Sequence, residues 1–196
     1  MAKQRDIGSE IDAILESLGK KSRPGEDTSM PVLEAAIKVE EFAKNYYAAL
    51  AGSMKDKAGK AVMESLAKEG LMHLKALDAQ KSMLKKGGDW LYKERVAPVK
   101  AVCPAVPGDV KSSKGIFARL LKKKATDADA LKLAMAIKMR TIKFYCAASW
   151  KIRDAGGKKM LAHLVDLEEK HLRGLEAQYA WLEQTGFWYD PGMASD

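Results

Sequence analysis

Residues 161–182 carry a glutamate and a histidine at a spacing that suits metal binding, Glu168 and His171. Apolar residues recur around them at three- and four-residue steps, which predicts one helix with a single apolar face. Because residues three apart lie side by side on a helix, both polar groups are expected to point into that buried face. A buried carboxylate and a buried imidazole must pair with each other, form hydrogen bonds or bind a metal.

The same arrangement of residues occurs 98 positions earlier in the chain. His73 corresponds to His171 at this offset, and Trp90 corresponds to Trp188. Further identities in the same register fall at turns and apolar positions: Asp56/Asp154, Gly59/Gly157, Leu66/Leu164, Leu77/Leu175 and Gln80/Gln178. An internal repeat at a fixed offset predicts two copies of one helical hairpin, packed against each other.

Composition and charge narrow the class of protein. A chain of 196 residues is expected to form one domain, and no run of about 20 apolar residues or signal peptide is present. We therefore expect a cytoplasmic protein without a membrane partner. The net charge of +8 comes from lysines spread along outer helix faces without interleaved aromatics, so no specific nucleic-acid partner is expected. Cys103 and Cys146 are too far apart in sequence for a metal knuckle.

Turn signals and apolar patterns divide the chain into a leader, a bundle and a tail. Residues 1–30 are the leader, whose possible helix at 11–18 could cover its own bundle or dock on a larger assembly. Residues 31–190 are the bundle, and 191–196 the tail. Helices are predicted at about 31–50, 57–86 and 127–153, and from the turn at 154–157 to about 185. Residues 87–125, with a short helix near 115–124, form the long crossover that parallel second and third helices require.

Each predicted bundle helix has a polar interruption near the middle of its apolar stripe. The four interruptions are Glu40, the pair Gly70/His73, Lys138, and the pair Glu168/His171. Polar groups from four helices at one internal level are how a bundle builds a metal site in its core. Glu40 and Lys138 each precede a tyrosine by seven residues, which places Tyr47 and Tyr145 on the same stripes.

This pattern resembles the ferritin-like superfamily, in particular stand-alone rubrerythrin-like chains without a rubredoxin domain. The resemblance covers about residues 31–190 and rests on EEFAKNYY at 40–47, LEEKHL at 167–172 and AQYAWLEQTGFW at 177–188. It implies an all-α, ferritin-like four-helix bundle made of two repeated helical hairpins joined by a long crossover. It also implies a homodimer and oxidoreductase chemistry with peroxide or dioxygen at iron or manganese.

Rubrerythrin-like proteins hold two irons with four carboxylates and two histidines, and this chain departs from that set at two positions. The resemblance implies four metal ligands: Glu40, His73, Glu168 and His171. The carboxylate positions of the second and third helices are Gly70 and Lys138 instead. Two carboxylates and one lysine leave a net charge of −1, which cannot balance two divalent ions.

Three occupancies of the site stay open from the sequence. One iron or manganese ion could bind Glu40, His73 and Glu168, with or without His171. A metal-free site could instead hold a buried network in which Lys138 lies between the two glutamates. Two metals would need Glu69 or Glu169, which lie about 100° around the helix from the vacated inward positions.

Two functions follow from these occupancies. In an enzyme, Lys138 would supply a fixed charge or a proton, and Tyr47 and Tyr145 would hydrogen-bond toward the metal or donate an electron. In a non-catalytic bundle, the buried ion network would serve assembly or partner binding. For a homodimer contact, the sequence offers three aromatic residues near the end of the fourth helix, Trp181, Phe187 and Trp188.

Overall fold

The computed structural model describes residues 13–14, 27–91 and 126–189, and these residues form a four-helix bundle. The helices are α1 (Ser29–Ser53), α2 (Lys57–Lys85), α3 (Asp127–Lys151) and α4 (Ala155–Thr185). No strand occurs within those ranges. The helix bounds differ from the predicted ones by a few residues at most, so the predicted all-α class is confirmed.

Matching aspartates start the second helix of each hairpin. The Asp56 carboxylate accepts a hydrogen bond from the backbone N–H of Gly59 at 3.0 Å, and Asp154 accepts one from Gly157 at 3.1 Å. An N-cap aspartate satisfies backbone donors that have no partner inside the helix. The repeat of 98 residues therefore reproduces the local structure of the turn as well as its sequence.

Each hairpin places a tryptophan against the turn of the other hairpin. α1 packs along α2, α3 packs along α4, and the hairpins meet through α1 and α3. Trp90, which follows α2, lies on Gly157, and a Cβ added there would be 2.8 Å from its ring. Trp188, which follows α4, lies on Gly59, where the corresponding distance is 2.5 Å. Both glycines are needed because any side chain would collide with the indole.

The ends of the helices give the topology of the bundle. Trp188 donates a hydrogen bond from its indole N–H to Asp127 at 2.7 Å, so α3 starts beside the end of α4. Trp188 also lies on Gly59, so α2 starts at that same end. α2 and α3 therefore run in the same direction, and the chain between them connects opposite ends of the bundle, as the predicted crossover requires.

Several predictions fall largely outside the described residues. Of the leader, residues 13–14 are helical, and Ile14 is partly buried against the hydrophobic core. The rest of the predicted helix at 11–18, the short helix at 115–124, Cys103 and the tail lie outside those residues. Among the helices that are described, none has the length and hydropathy needed to cross a membrane.

One predicted contact residue lies in the core instead of on the surface. Trp188 is only 5% exposed because its ring covers the start of α2. It cannot contribute to the predicted subunit contact. Trp181 and Phe187 are exposed at 43% and 74%.

Candidate metal centre

The polar interruptions of the four apolar stripes meet in the core of the bundle. α1 supplies Glu40, α2 supplies His73, α3 supplies Lys138 and α4 supplies Glu168. Each of these residues is at most 7% exposed. Two carboxylates, an imidazole and an ammonium are thus held together in a space closed to bulk water.

Three of these side chains form a compact group of metal-ligand type. His73 Nδ1 lies 3.4 Å from Glu40 Oε1 and 3.2 Å from Glu168 Oε1. One ligand atom from each residue falls within 4.8 Å of the other two, and the described ranges contain no second group of this kind. Carboxylate oxygen and imidazole nitrogen are common ligands of iron, manganese and zinc. The group could therefore hold one such ion.

The hydrogen bonding of this group tests whether a cation fits it. His73 Nδ1 and both carboxylate oxygens of Glu168 are buried and make no hydrogen bond of acceptable alignment, although ion-pair distances are short. Buried polar atoms without aligned partners are costly and rare in folded proteins. A cation near His73 Nδ1 and Glu168 Oε1 would satisfy these two atoms, while Lys138 faces Glu168 Oε2, so the residues present fit a bound metal.

Lys138 contacts one side of the group. Its Nζ lies 2.5 Å from Glu168 Oε2, 3.4 Å from His171 Nδ1 and 5.3 Å from the centre of the Tyr47 ring. Among the residues described, Lys138 has no ion pair with Glu40. The order of the network therefore differs from the predicted one, because His73 and not Lys138 lies between the two carboxylates.

His171 lies beside the group and is not one of its three members. Its side chain is 22% exposed, and Nδ1 is 3.9 Å from Glu168 Oε2. Its other ring nitrogen, Nε2, lies 3.2 Å from Glu69 Oε2, across the gap between α2 and α4. Glu69 is thus a third carboxylate at the site. Its position four residues before His73, on the same helical face, is the sequence signal that could have given it more weight.

Gly70 lies where the resemblance implies a carboxylate ligand. A Cβ added at this position would be 3.7 Å from Glu40 Oε2, so the position does face the site. The same Cβ would be 3.3 Å from Lys44 Cβ, which is a tight contact. The glycine therefore both removes a ligand and lets α1 and α2 approach closely.

The two tyrosines have different partners. Tyr145 donates its hydroxyl hydrogen bond to Glu40 Oε1, whereas the Tyr47 hydroxyl donates to the backbone carbonyl of Ala134 at 3.5 Å. Burial raises the pKa of both tyrosines, and the charges of Glu168 and Glu40 raise it further. Both phenols therefore keep their protons, and Tyr145 is the one in contact with a candidate ligand.

Opposing effects set the pKa values of His73 and Glu168. Burial lowers the pKa of His73, but the contacts with Glu168 and Glu40 outweigh it and raise that pKa to about 9. Burial likewise raises the pKa of Glu168, but Lys138, followed by the two histidines, holds it well below its usual range. Without a metal, the site therefore holds a protonated His73 between two carboxylates near neutral pH.

Comparison with known proteins leaves the family open. A scan against protein-family models, a search of curated proteins and a search of solved structures each found no match to this chain. The rubrerythrin-like resemblance accordingly stays a prediction from the sequence motifs. What the structure establishes is a four-helix bundle whose core contains a Glu40–His73–Glu168 group able to hold a metal ion.

Proposed function

We propose that this protein binds one divalent transition-metal ion through Glu40, His73 and Glu168. The observation that carries the proposal is the convergence of three buried ligand residues whose ligand atoms lie within 4.8 Å of one another. In two of them, His73 and Glu168, buried ligand atoms lack aligned hydrogen bonds. Two oxygens and one nitrogen suit iron or manganese.

Charge favours one ion over two. The carboxylates of Glu40, Glu69 and Glu168 bring −3, and Lys138 brings +1, so the site without His73's proton carries −2. One divalent ion balances this charge, whereas two would leave an excess of +2 in the core. Since uncompensated buried charge costs several kcal/mol, the arrangement is complete with a single ion. The net charge of −1 calculated for the site from the sequence did not include the carboxylate of Glu69.

The expected reaction class comes from the rubrerythrin-like motifs. An iron or manganese ion bound here would supply redox chemistry toward peroxide or dioxygen. Residues of the chain orient the ligands and shield the site from water. Tyr145 fixes the orientation of Glu40 by its hydrogen bond, Lys138 places its amino group beside Glu168, and the apolar stripes exclude water. A site with one ion has no second metal to share a two-electron reduction.

A non-catalytic bundle is the second candidate, and the position of His73 favours it. Its imidazole lies between Glu40 and Glu168 and has a pKa of about 9. The protonated ring can therefore bridge the two carboxylates in place of a metal ion. In that case the core holds a closed ion network of His73, Lys138 and the glutamates. Such networks fix the register of packed helices in some proteins.

Peroxide turnover by the metal-loaded protein separates the two candidates. We expect the wild-type protein, loaded anaerobically with ferrous iron and desalted, to consume hydrogen peroxide, and Glu168→Ala treated in parallel to lose this activity with its iron. The variant Glu169→Ala, altered at a neighbouring position outside the three-residue group, is the matched control and should behave as wild type. A wild-type protein that retains iron but reacts with neither peroxide nor dioxygen would contradict the enzymatic function.

A further inference from the structure

One side of the Glu40–His73–Glu168 group is less tightly closed than the others. α1 packs along α2, α3 packs along α4 and α1 meets α3, whereas no comparable packing of the described residues joins α2 to α4. At the level of the site, Glu69 Oε2 on α2 and His171 Nε2 on α4 bridge this gap at 3.2 Å. Their side chains are 25% and 22% exposed, so the gap between α2 and α4 reaches the surface here.

Buried residues close the remaining sides of the group. Between α1 and α2, Gly70 lets the helices approach until a Cβ added there would lie 3.3 Å from Lys44 Cβ. Between α1 and α3, the buried Tyr47 donates its hydroxyl hydrogen bond to the backbone of α3. Between α3 and α4, the buried Lys138 contacts Glu168. An ion that moves between solvent and the core therefore meets the least obstruction between α2 and α4.

Atoms of metal-ligand type follow one another from this gap into the core. His171 Nε2 lies beside Glu69 near the surface, and His171 Nδ1 lies 3.9 Å from Glu168 Oε2. Glu168 Oε1 in turn lies 3.2 Å from His73 Nδ1. Exposure falls in the same order, because Glu168 and His73 are both buried. An ion that enters here can exchange water for oxygen and nitrogen ligands at each step, whereas passage through an apolar layer would leave its charge uncompensated.

We propose that the metal ion reaches the core between α2 and α4, and that the side chains of Glu69 and His171 are the gate of this route. The inference rests on the proposed function, because it describes how the proposed ion exchanges with solvent. In the structure the two side chains touch, and the gate is closed. Contacts between partly exposed side chains are weak, so the pair can separate without unfolding of the bundle. The gate sets the rates of metal binding and release, while the three buried ligands set the affinity.

The variants Glu69→Ala and Glu69→Gln separate a gate from a ligand. Both remove the carboxylate, so any effect of its charge or of coordination is common to them, but only alanine removes the bulk that closes the gap. We expect anaerobic uptake of ferrous iron, and its release to an excess of chelator, to be at least about 3-fold faster in Glu69→Ala than in Glu69→Gln. The dissociation constants of the two variants should agree within about 2-fold, because a gate changes both rates by the same factor.

Glu169→Ala is the matched control for these rates. Glu169 is a partly exposed glutamate of the same helix as His171, and it lies on the other side of Glu168, about 100° around α4. Its substitution should leave uptake and release at wild-type rates. Equal rates in Glu69→Ala and Glu69→Gln, or an increase of the same size in Glu169→Ala, would overturn the gate while the proposed metal site stands.

Chemical modification of the metal-free protein tests the same route without iron. Diethyl pyrocarbonate reacts with unprotonated imidazole nitrogens, and peptide mass spectrometry follows the reaction at His73 separately. We expect His73 to react at least about 3-fold faster in Glu69→Ala than in Glu69→Gln, whereas His163 on α4 reacts equally in both. If the wild-type protein binds no iron, the proposed function fails, and the rate at His73 still decides whether the gap leads into the core. Equal rates at His73 would overturn the gate.

Discussion

At the scale of single residues, Lys138 and Glu168 form an ion pair that is almost completely buried. Their side chains are 3% and 1% exposed, and the Nζ–Oε2 distance is 2.5 Å. Burying both charges is costly, so the pair contributes little compared with apolar residues of the same shape. Removing one partner is different, because it leaves the core with an unbalanced charge.

We therefore expect Lys138→Met to lower the free energy of unfolding of the metal-free protein by about 3–5 kcal/mol. The double variant Lys138→Met/Glu168→Leu should lose less than the sum of the two single variants, since it leaves neither partner alone. Urea unfolding in the presence of a chelator measures all three. Lys170→Met, which removes an exposed ion pair with Asp166 on α4, is the control and should have little effect. Additive losses would show that the buried pair is not coupled.

The raised pKa of His73 predicts how the stability of the metal-free protein depends on pH. The pKa is about 9 in the folded chain against 6.5 as the ordinary value, so the folded state binds more protons between these limits. Stability is then fully present below pH 6.5 and falls as pH rises through 9, by on the order of 3 kcal/mol. Chelator-treated wild type should lose stability between pH 6.5 and 9.5 in urea unfolding, and His73→Gln should lose much less. An equal loss of stability in both proteins would contradict the raised pKa of His73.

The ligand group was largely predictable from the sequence, but its connections were not. Glu40, His73, Lys138 and Glu168 each interrupt an apolar stripe, and stripe positions are fixed by helical periodicity. The contacts among these side chains depend on the position of each helix in the bundle and on the length of each side chain. The carboxylate of Glu69 illustrates this, because its long side chain reaches His171 from a position about 100° around α2 from Gly70.

At the scale of helices and turns, the contacts of the two tryptophans with glycines decide how the hairpins fit together. Trp90 lies on Gly157 and Trp188 lies on Gly59. We expect Gly59→Ala and Gly157→Ala each to lower the free energy of unfolding by about 1–3 kcal/mol, because the added methyl group must displace an indole. Thermal or urea unfolding measures the change.

Gly174 provides the matched control for these substitutions. It lies inside α4, and an added Cβ would meet no atom within 4 Å. Gly174→Ala should therefore stabilise the protein by about 0.5–1 kcal/mol through helix propensity alone. If all three glycine variants changed stability in the same direction, the tryptophan contacts would not have the role assigned to them.

The repeated glutamine shows what the sequence repeat could and could not predict for these elements. Gln80 accepts a hydrogen bond from the backbone N–H of Leu91 at 2.7 Å, and Gln178 accepts one from Tyr189 at 3.2 Å. Each glutamine thus fixes the segment that carries a tryptophan after its helix. The identity at an offset of 98 residues predicted a shared structure, but the reach of the side chain across eleven residues was not predictable from it.

At the scale of the whole molecule, the fold repeats and the site does not. At the offset of 98 residues His73 corresponds to His171, but Glu40 corresponds to Lys138, and Gly70 corresponds to Glu168. A bundle of two equal hairpins would present two equal half-sites. Here one half-site supplies Glu40 and His73, the other supplies Glu168, and an ammonium occupies the remaining space. This asymmetry, visible in the sequence alone, is the reason that we expect one metal ion.

Metal content per chain tests this expectation most directly. The protein is loaded anaerobically with ferrous iron, desalted and measured by elemental analysis, with His73→Gln carried through the same steps. We expect one iron per chain in the wild-type protein and close to none in the variant, because His73 supplies the only nitrogen of the three-residue group. Two irons per chain, or none in the wild-type protein, would contradict a single-ion site at Glu40, His73 and Glu168.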